Sequence, residues 1–197
     1  MAAAPPTRPA LRERYDRRHD ALVAAAAHEF AAHGYDETTM AALARATGQA
    51  TGALYHYVGA KEQLLRAICD QLMEPLLARA RELCDERAGE DPGERLRALV
   101  RLWVAHVCAH RDHMLVFQQE RHRIETGERW RGVRASRKQF ERLVAGVLAD
   151  AGIGDPSSPL PLLALLGMVN HTAQWYRPRG ALNPEQIADG YVDLVLV

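Results

Sequence analysis

The stretch from Thr38 to Leu65, TTMAALARATGQATGALYHYVGAKEQLL, constrains the chain more than any other. Two short helical patterns flank a glycine-centred turn, and a third helix starts after Val58-Gly59-Ala60. In the first pattern, about Met40 to Ala46, the side chains of Met40, Leu43 and Ala44 share one face at three- and four-residue spacing. Thr38 or Thr39 precedes it as the N-cap, with a hydroxyl to accept an orphan backbone N–H. Thr47-Gly48 ends it, because glycine takes the positive φ that a tight C-cap requires. The second pattern, about Ala50 to Tyr57, is short and bare: Ala50, Thr51, Gly52 and Ala53 open it, and Tyr55-His56-Tyr57 close it.

This is the shape of a helix-turn-helix, whose second helix enters the major groove of double-stranded DNA. Small residues at Ala50 and Gly52 bring the backbone close to base edges, and Thr51 offers a hydroxyl and a methyl. Tyr55 and His56 suit phosphate oxygens, Lys61 brings a charge to the start of the next helix, and Thr39 and Arg45 complete the expected contact set. No acidic residue occurs from Thr38 to Lys61. The competing reading is a plain helical hairpin packed in a core.

Charge adds little. The 197 residues carry 25 Lys plus Arg and 25 Asp plus Glu. Within residues 1–62, Arg8, Arg12, Arg14, Arg17, Arg18, Arg45 and Lys61 are matched one for one by Glu13, Asp16, Asp20, Glu29, Asp36, Glu37 and Glu62. DNA affinity therefore has to come from placed contacts and from pairing of two chains rather than from a basic field. Cys69, Cys84 and Cys108 form no CxxC motif and fit idle thiols of a reducing compartment. The N-terminus lacks the apolar core of a signal peptide, and the apolar run Leu160 to Val169 is too short to span a bilayer, so a soluble cytoplasmic protein is expected.

The rest of the chain reads as all-α, with about nine helices. Residues 1–14 are expected to be a disordered basic arm, residues 15–62 a DNA-binding domain, and residues 63–197 a ligand-binding and dimerisation domain. Helix one runs from about Asp16 to His33. A long helix runs from Lys61 to about Arg87 with a kink or break near Gln71-Leu72, because Pro75 interrupts it. Further helices are expected from Asp91-Pro92, from Arg111 to Glu125, from Glu128 to Asp150 and from Ser158 to Tyr176. The last runs from Asn183 to about Leu196 and opens with a capping box, Asn183-Pro184-Glu185-Gln186.

No nucleophile elbow, Walker loop, dinucleotide fingerprint or HExxH motif is present, so the sequence points away from an enzyme. His106, His110 and His113 fall at i, i+4 and i+7, a metal-ligand spacing if one helix spans them; a polar pocket wall is the alternative. Between residues 94 and 180 large apolar side chains mingle with polar ones, as in a small-molecule site. The effector set read from this pattern is Trp103, His106, His110, Phe117, Gln118, Arg121, Trp130, Arg137, Asn170, Gln174, Trp175 and Arg177. Arg121, Arg123, Arg129, Arg131, Arg134, Arg137 and Lys138 form a cationic band suited to phosphates or carboxylates, or else a solvated helix face. A homodimer is expected through the last two long helices, using Leu163, Ala164, Leu166, Gly167, Val169, Ala173, Ile187 and Tyr191. Its two recognition helices would read a palindrome at about one DNA turn, roughly 34–36 Å.

The segment from about Arg17 to Leu65 resembles the DNA-binding domain of the TetR family of transcriptional regulators. The matching residues are Phe30-Ala31-Ala32-His33-Gly34-Tyr35, Thr38-Thr39, Leu43-Ala44, Gly48, Gly52, Leu54-Tyr55-His56-Tyr57, Lys61-Glu62 and Leu64-Leu65. Departures fall at Gln49, Ala50 and Thr51, where the family pattern has Val or Ile, a Ser cap and often Lys. Asn170 to Leu196, through Trp175-Tyr176-Arg177-Pro178, Gly180, Leu182, Pro184-Glu185 and Ile187, is similar to the C-terminal segment of TetR-family regulators that respond to acyl-CoA thioesters. That resemblance implies a repressor released from its operator by an acyl-CoA and controlling lipid, sterol or aromatic-acid catabolism. No other cofactor is implied, and the cationic band would meet the CoA phosphates. The alternatives are the same fold sensing a lipophilic drug and controlling efflux, and a helical metal-binding or scaffold protein.

Overall fold

The computed structural model describes residues 7–155 and 157–195. Residues 1–6 of the expected arm lie outside the described residues. Among the described residues the chain is all-α, with ten α-helices and one 3-10 turn. A head of three helices comprises α1 (Pro9–His33), α2 (Met40–Ala46) and α3 (Thr51–Val58). The body comprises α4 (Lys61–Glu86), α5 (Pro92–Ala109), α6 (Arg111–Gln119), α7 (Arg121–Thr126), the turn Glu128–Trp130, α8 (Arg131–Asp150), α9 (Leu160–Trp175) and α10 (Pro184–Val195).

Three expectations are corrected. Residues 9–14, expected as part of the arm, are the first turns of α1. Pro9 at the first helical position presets φ, and the ion pairs Arg12–Asp16 (3.0 Å) and Arg17–Glu13 (2.5 Å) sit at i,i+4 along the extension. The helix expected over Arg111 to Glu125 is two, divided at Glu120. Of the kink or break expected near Gln71-Leu72, the break is absent: helix α4 continues through Pro75. Pro75 is exposed, so its ring meets solvent instead of a packed neighbour. It supplies no N–H to the Gln71 carbonyl. The next carbonyl, of Leu72, accepts a hydrogen bond from His106 Nε2 at 2.8 Å.

The helix ends follow local chemistry. Asp91 caps α5 through the N–H groups of Gly93 (2.9 Å) and Glu94 (3.1 Å). Asn183 and Gln186 exchange hydrogen bonds as the expected capping box of α10. Helix α5 is the axis of the body. It buries Leu96, Leu99, Val100, Trp103, Val104 and Val107 and packs on α4, α8, α9 and α10. Arg97 and Arg101 of α5 pair with Asp189, Asp193 and Glu185 of α10. Helix α6 lies on α1 and on α4, so head and body share a continuous core.

Candidate DNA interface and effector cavity

Helix α2 is capped by Thr39, whose Oγ1 accepts from the N–H of Ala42 at 3.1 Å, while buried Thr38 turns its hydroxyl to the Gly34 carbonyl. After Ala46 the chain closes a Schellman turn: Gly48 N–H donates to the Arg45 carbonyl and Gln49 N–H to the Ala44 carbonyl, with Gly48 at φ +63°. Helix α3 follows with no side-chain cap from Ala50. It buries only Leu54 and Val58, leaving Thr51, Gly52, Tyr55 and His56 exposed, with Arg45 exposed on α2. The head braces α3 from behind. Tyr15 of α1 donates to the Tyr57 carbonyl, Arg18 lies over the Tyr57 ring, and Arg18 Nη2 donates to Gln49 Oε1 at 2.5 Å. Gln49, a departure from the family pattern, is thus a tether between α1 and the turn.

Lys61 does something other than expected. Its Nζ donates to the carbonyls of Tyr35 (2.8 Å), Asp36 (3.2 Å) and Thr38 (3.0 Å) and sits over the Tyr35 ring. An ammonium has three donors, so the expected phosphate contact is replaced by a clamp on the α1–α2 loop.

Below the head, a space of about 40 Å³ lies between α4, α5, α6, α8 and α9. It is lined by Met73, Leu76, Trp103, Met114, Phe117, Arg137, Phe140, Glu141, Leu166 and Asn170. Trp103 and Phe140 meet edge to face at 4.9 Å. Arg137, the one cation on this wall, pairs with Glu125 of α7 and with Glu141 one turn along α8. The hydrogen bond from Arg137 and its charge hold the Glu125 carboxyl below its ordinary pKa. The Arg137 Nε is buried and has no hydrogen-bond partner, although Glu141 lies 3.2 Å away. Beside the cavity, Gln118 Nε2 donates to the Asn170 carbonyl and Gln174 Nε2 to Gln118 Oε1.

The cavity therefore gathers Trp103, Phe117, Arg137 and Asn170 of the expected effector set, with Gln118 and Gln174 at its edge. The others lie elsewhere. Trp130 is buried against Gly127, where a Cβ would meet its ring at 2.7 Å. Arg121 is exposed and paired with Glu125, and Trp175 is exposed at the end of α9. His110 and Arg177 line a separate surface groove with His28, Arg111 and Asp112. Met73, Leu76 and Glu141 were missed, whereas Met114 and Phe140 belong to the large apolar side chains that mark residues 94 to 180 as a small-molecule site. Phe140 and Glu141 fall one turn beyond Arg137 on α8, a spacing that marked them as its neighbours. Leu166, expected at the dimer interface, faces the cavity.

The histidines do not converge on a metal. His106 lies in the last turn of α5, His110 sits at the corner and His113 belongs to α6, with the His110 ring 4.2 Å from that of His106 and 5.6 Å from that of His113. Their rings address the Leu72 carbonyl, the His106 carbonyl and Gln71 Oε1 respectively. Burial pushes the pKa of His106 and His113 down to about 4, with the neighbouring His110 adding to the effect. Among the described residues no group of three or more His, Cys, Asp or Glu is arranged to hold a metal ion. The cationic band is also largely neutralised: Arg123 pairs with Asp36 and Glu120, Arg129 with Glu62 and Arg131 with Glu128, while Arg134 donates to the Ile124 and Gly127 carbonyls.

Helices α9 and α10 leave an apolar outer face. Leu160, Leu163, Ala164 and Gly167 recur along α9 at three- and four-residue spacing, and Leu182 before α10 and Leu194 on it are also exposed. Of the residues expected at the dimer interface, Leu163, Ala164 and Gly167 are on this face. Val169, Ala173 and Ile187 are inside the chain's own core, and Tyr191 is half-buried and hydrogen-bonded to Thr172. Their apolar character is spent on packing α9 against α5 and α10. No helix among the described residues is long and apolar enough to cross a membrane.

Residues 22–68 match the family model described as bacterial regulatory proteins, tetR family, and residues 89–197 that of a tetracyclin repressor-like C-terminal domain. The HTH-type transcriptional repressor KstR2 of Rhodococcus jostii (strain RHA1) is 29% identical over 185 residues, spanning 91% of this chain and 89% of that protein. PfmR, a TetR-family transcriptional regulator from Thermus thermophilus, superposes with a TM-score of 0.77 at 27% identity, covering 89% of this chain and 96% of its own. AibR in complex with isovaleryl coenzyme A and operator DNA superposes with a TM-score of 0.73 at 30% identity, covering 91% and 98%.

Proposed function

Because the chain belongs to the TetR family of DNA-binding transcriptional regulators, we propose that it is a repressor released from a palindromic operator by an acyl-coenzyme A thioester. Members act as homodimers on operator DNA and respond to small-molecule effectors. In this chain the acyl group enters the cavity walled by Trp103, Phe117 and Phe140, with its carbonyl toward Arg137.

The observation that carries this is the charge state of the cavity wall. Arg137 already faces two carboxylates, Glu125 and Glu141. A free fatty or aromatic acid would add a third negative charge beside one cation. A thioester brings a carbonyl acceptor and no charge, and the buried Arg137 Nε–H, which lies 3.2 Å from Glu141 without hydrogen-bond alignment, is free to turn its donor to that carbonyl. The binding of isovaleryl coenzyme A by AibR supports the same class. Genes for breakdown of the corresponding acid are then the fitting targets.

Coupling follows from the small size of the space. At about 40 Å³ it is a narrow cleft between packed walls rather than an open chamber. Binding has to part the walls, and Met73 and Met114 are the adaptable ones. Met114 and Phe117 belong to α6, which lies on α1 of the head through His28–Asp112 (2.9 Å) and Gln119 to the Ala31 carbonyl. Displacing α6 shifts the head and spoils the spacing of the two α3 helices. The outer face of α9 and α10 holds the two protomers together.

The test uses a duplex selected from a random library by the wild-type protein. Isovaleryl-CoA and longer acyl-CoAs release it in a mobility-shift titration, whereas the matching free acids and coenzyme A alone do not. Release by free acids at equal concentration, or by none of these compounds, removes the thioester reading.

A further inference from the structure

We infer that Arg129, which belongs to the effector-bearing body, contacts a DNA phosphate beside the recognition helix. This rests on the DNA-binding role of the head and extends it to a residue outside the helix-turn-helix. Four observations carry it. First, the side chain expected to supply a phosphate contact here, Lys61, has all three donors taken by carbonyls. Second, Arg129 lines one open groove of about 660 Å³ with Gly52, Tyr55 and His56, the exposed surface of α3. Third, its side chain is 79% exposed and, among the described residues, pairs with Glu62, itself 42% exposed, at 2.6 Å. An exposed pair of this kind is weak, so a phosphate can replace the carboxylate at little loss and with counterion release in favour of the exchange. Fourth, the backbone that carries Arg129 is fixed. Trp130 is buried beside it, a Cβ at Gly127 would collide with the Trp130 ring, and Arg134 ties down the Ile124 and Gly127 carbonyls.

The placement also connects the two sites. Helix α7 carries Glu125, the partner of Arg137 at the cavity wall, and Arg129 follows four residues later. An effector that disturbs the Arg137–Glu125 pair acts on the segment that presents Arg129 to DNA.

The experiment measures affinity for the selected duplex as a function of salt in full-length wild type, Arg129→Ala, Arg129→Lys and, as an exposed paired arginine on the far part of α4, Arg79→Ala. Each phosphate contact contributes about 0.9 to the slope of log affinity on log salt, so losing one per protomer lowers a dimer's slope by about 1.8. That drop is expected for Arg129→Ala, with the melting temperature unchanged, while Arg129→Lys retains most of the slope and Arg79→Ala all of it. Glu62→Gln, which frees Arg129, is expected to tighten binding at low salt. An Arg129→Ala slope equal to that of wild type overturns the inference while leaving the head's DNA binding intact. Failure of wild type to select any duplex counts against DNA recognition itself.

Discussion

Helix α3 buries two side chains, has no side-chain N-cap and offers small residues to the outside, whereas the cavity behind Arg137 is walled by three large aromatics and two methionines. The first surface is stiff without a core of its own. It borrows rigidity from Tyr15, Arg18 and Gln49 on one side and from the Lys61 clamp on the other. The second is well packed but contains flexible thioethers, an arginine whose Nε meets no hydrogen-bond geometry, and a cleft of about 40 Å³. On the proposed function, a ligand's differential affinity goes into deforming the body, and the head moves as a unit. A useful switch needs a coupling of about 1–3 kcal/mol between the two sites.

The contrast can be broken most forcefully at the aromatic wall. Trp103→Ala is expected to destabilise the fold by about 3–5 kcal/mol, while Tyr55→Ala on the exposed face changes stability by no more than about 0.5 kcal/mol and weakens DNA binding instead. Thermal unfolding beside mobility-shift titration separates the two. Next in size is Lys61→Ala. Removing a cation that satisfies three carbonyls is expected to cost about 1.5–3 kcal/mol and to leave the salt slope of DNA binding unchanged. A normal melting temperature with a flattened slope would restore Lys61 to the phosphate contacts and deny the clamp.

Proton linkage probes the joint between the regions. His106 and His113 titrate near 4 in the folded chain and near 6.5 when unfolded. Between those values the unfolded chain takes up protons that the folded chain refuses, so stability is full above pH 6.5 and falls as pH drops toward 4. Melting temperatures from pH 7 to pH 5 should decline in wild type and decline less in His106→Gln/His113→Gln. Equal slopes would mean that these rings are solvated. The smallest effect belongs to Ala50→Ser. Ala50 already has the extended backbone of an N-cap, so a hydroxyl there is expected to add about 1 kcal/mol of stability.

Much of the head, and several helix starts of the body, were legible in the sequence because their chemistry is local. The Thr39 cap, the Gly48 turn, the Asp91 cap and the Asn183 box are each decided within four residues. What was not legible depends on distant partners. Lys61 finds the carbonyls of Tyr35, Asp36 and Thr38 through the fold, and nothing near it in sequence announces that its charge is used up. The histidine triplet stays together, ring against ring, but each ring addresses a different oxygen (the Leu72 carbonyl, the His106 carbonyl and Gln71 Oε1), which the i, i+4, i+7 spacing does not reveal. Apolar residues on α9 said that both faces are apolar without saying which is outward, so Val169 and Ala173 were assigned to the partner while Leu160 and Leu194 were overlooked. The cationic band failed as a band for the same reason: Asp36, Glu62, Glu125 and Glu128 neutralise it from other elements or from neighbouring turns.

The central claim is that the cavity and the operator compete through one equilibrium, and linkage tests it directly. Isovaleryl-CoA is titrated calorimetrically into the dimer alone and into the dimer saturated with the selected duplex. The account predicts that DNA weakens the ligand by the same factor by which the ligand weakens DNA, about 5- to 150-fold for the coupling stated above. Equal affinity for the ligand with and without DNA would contradict it.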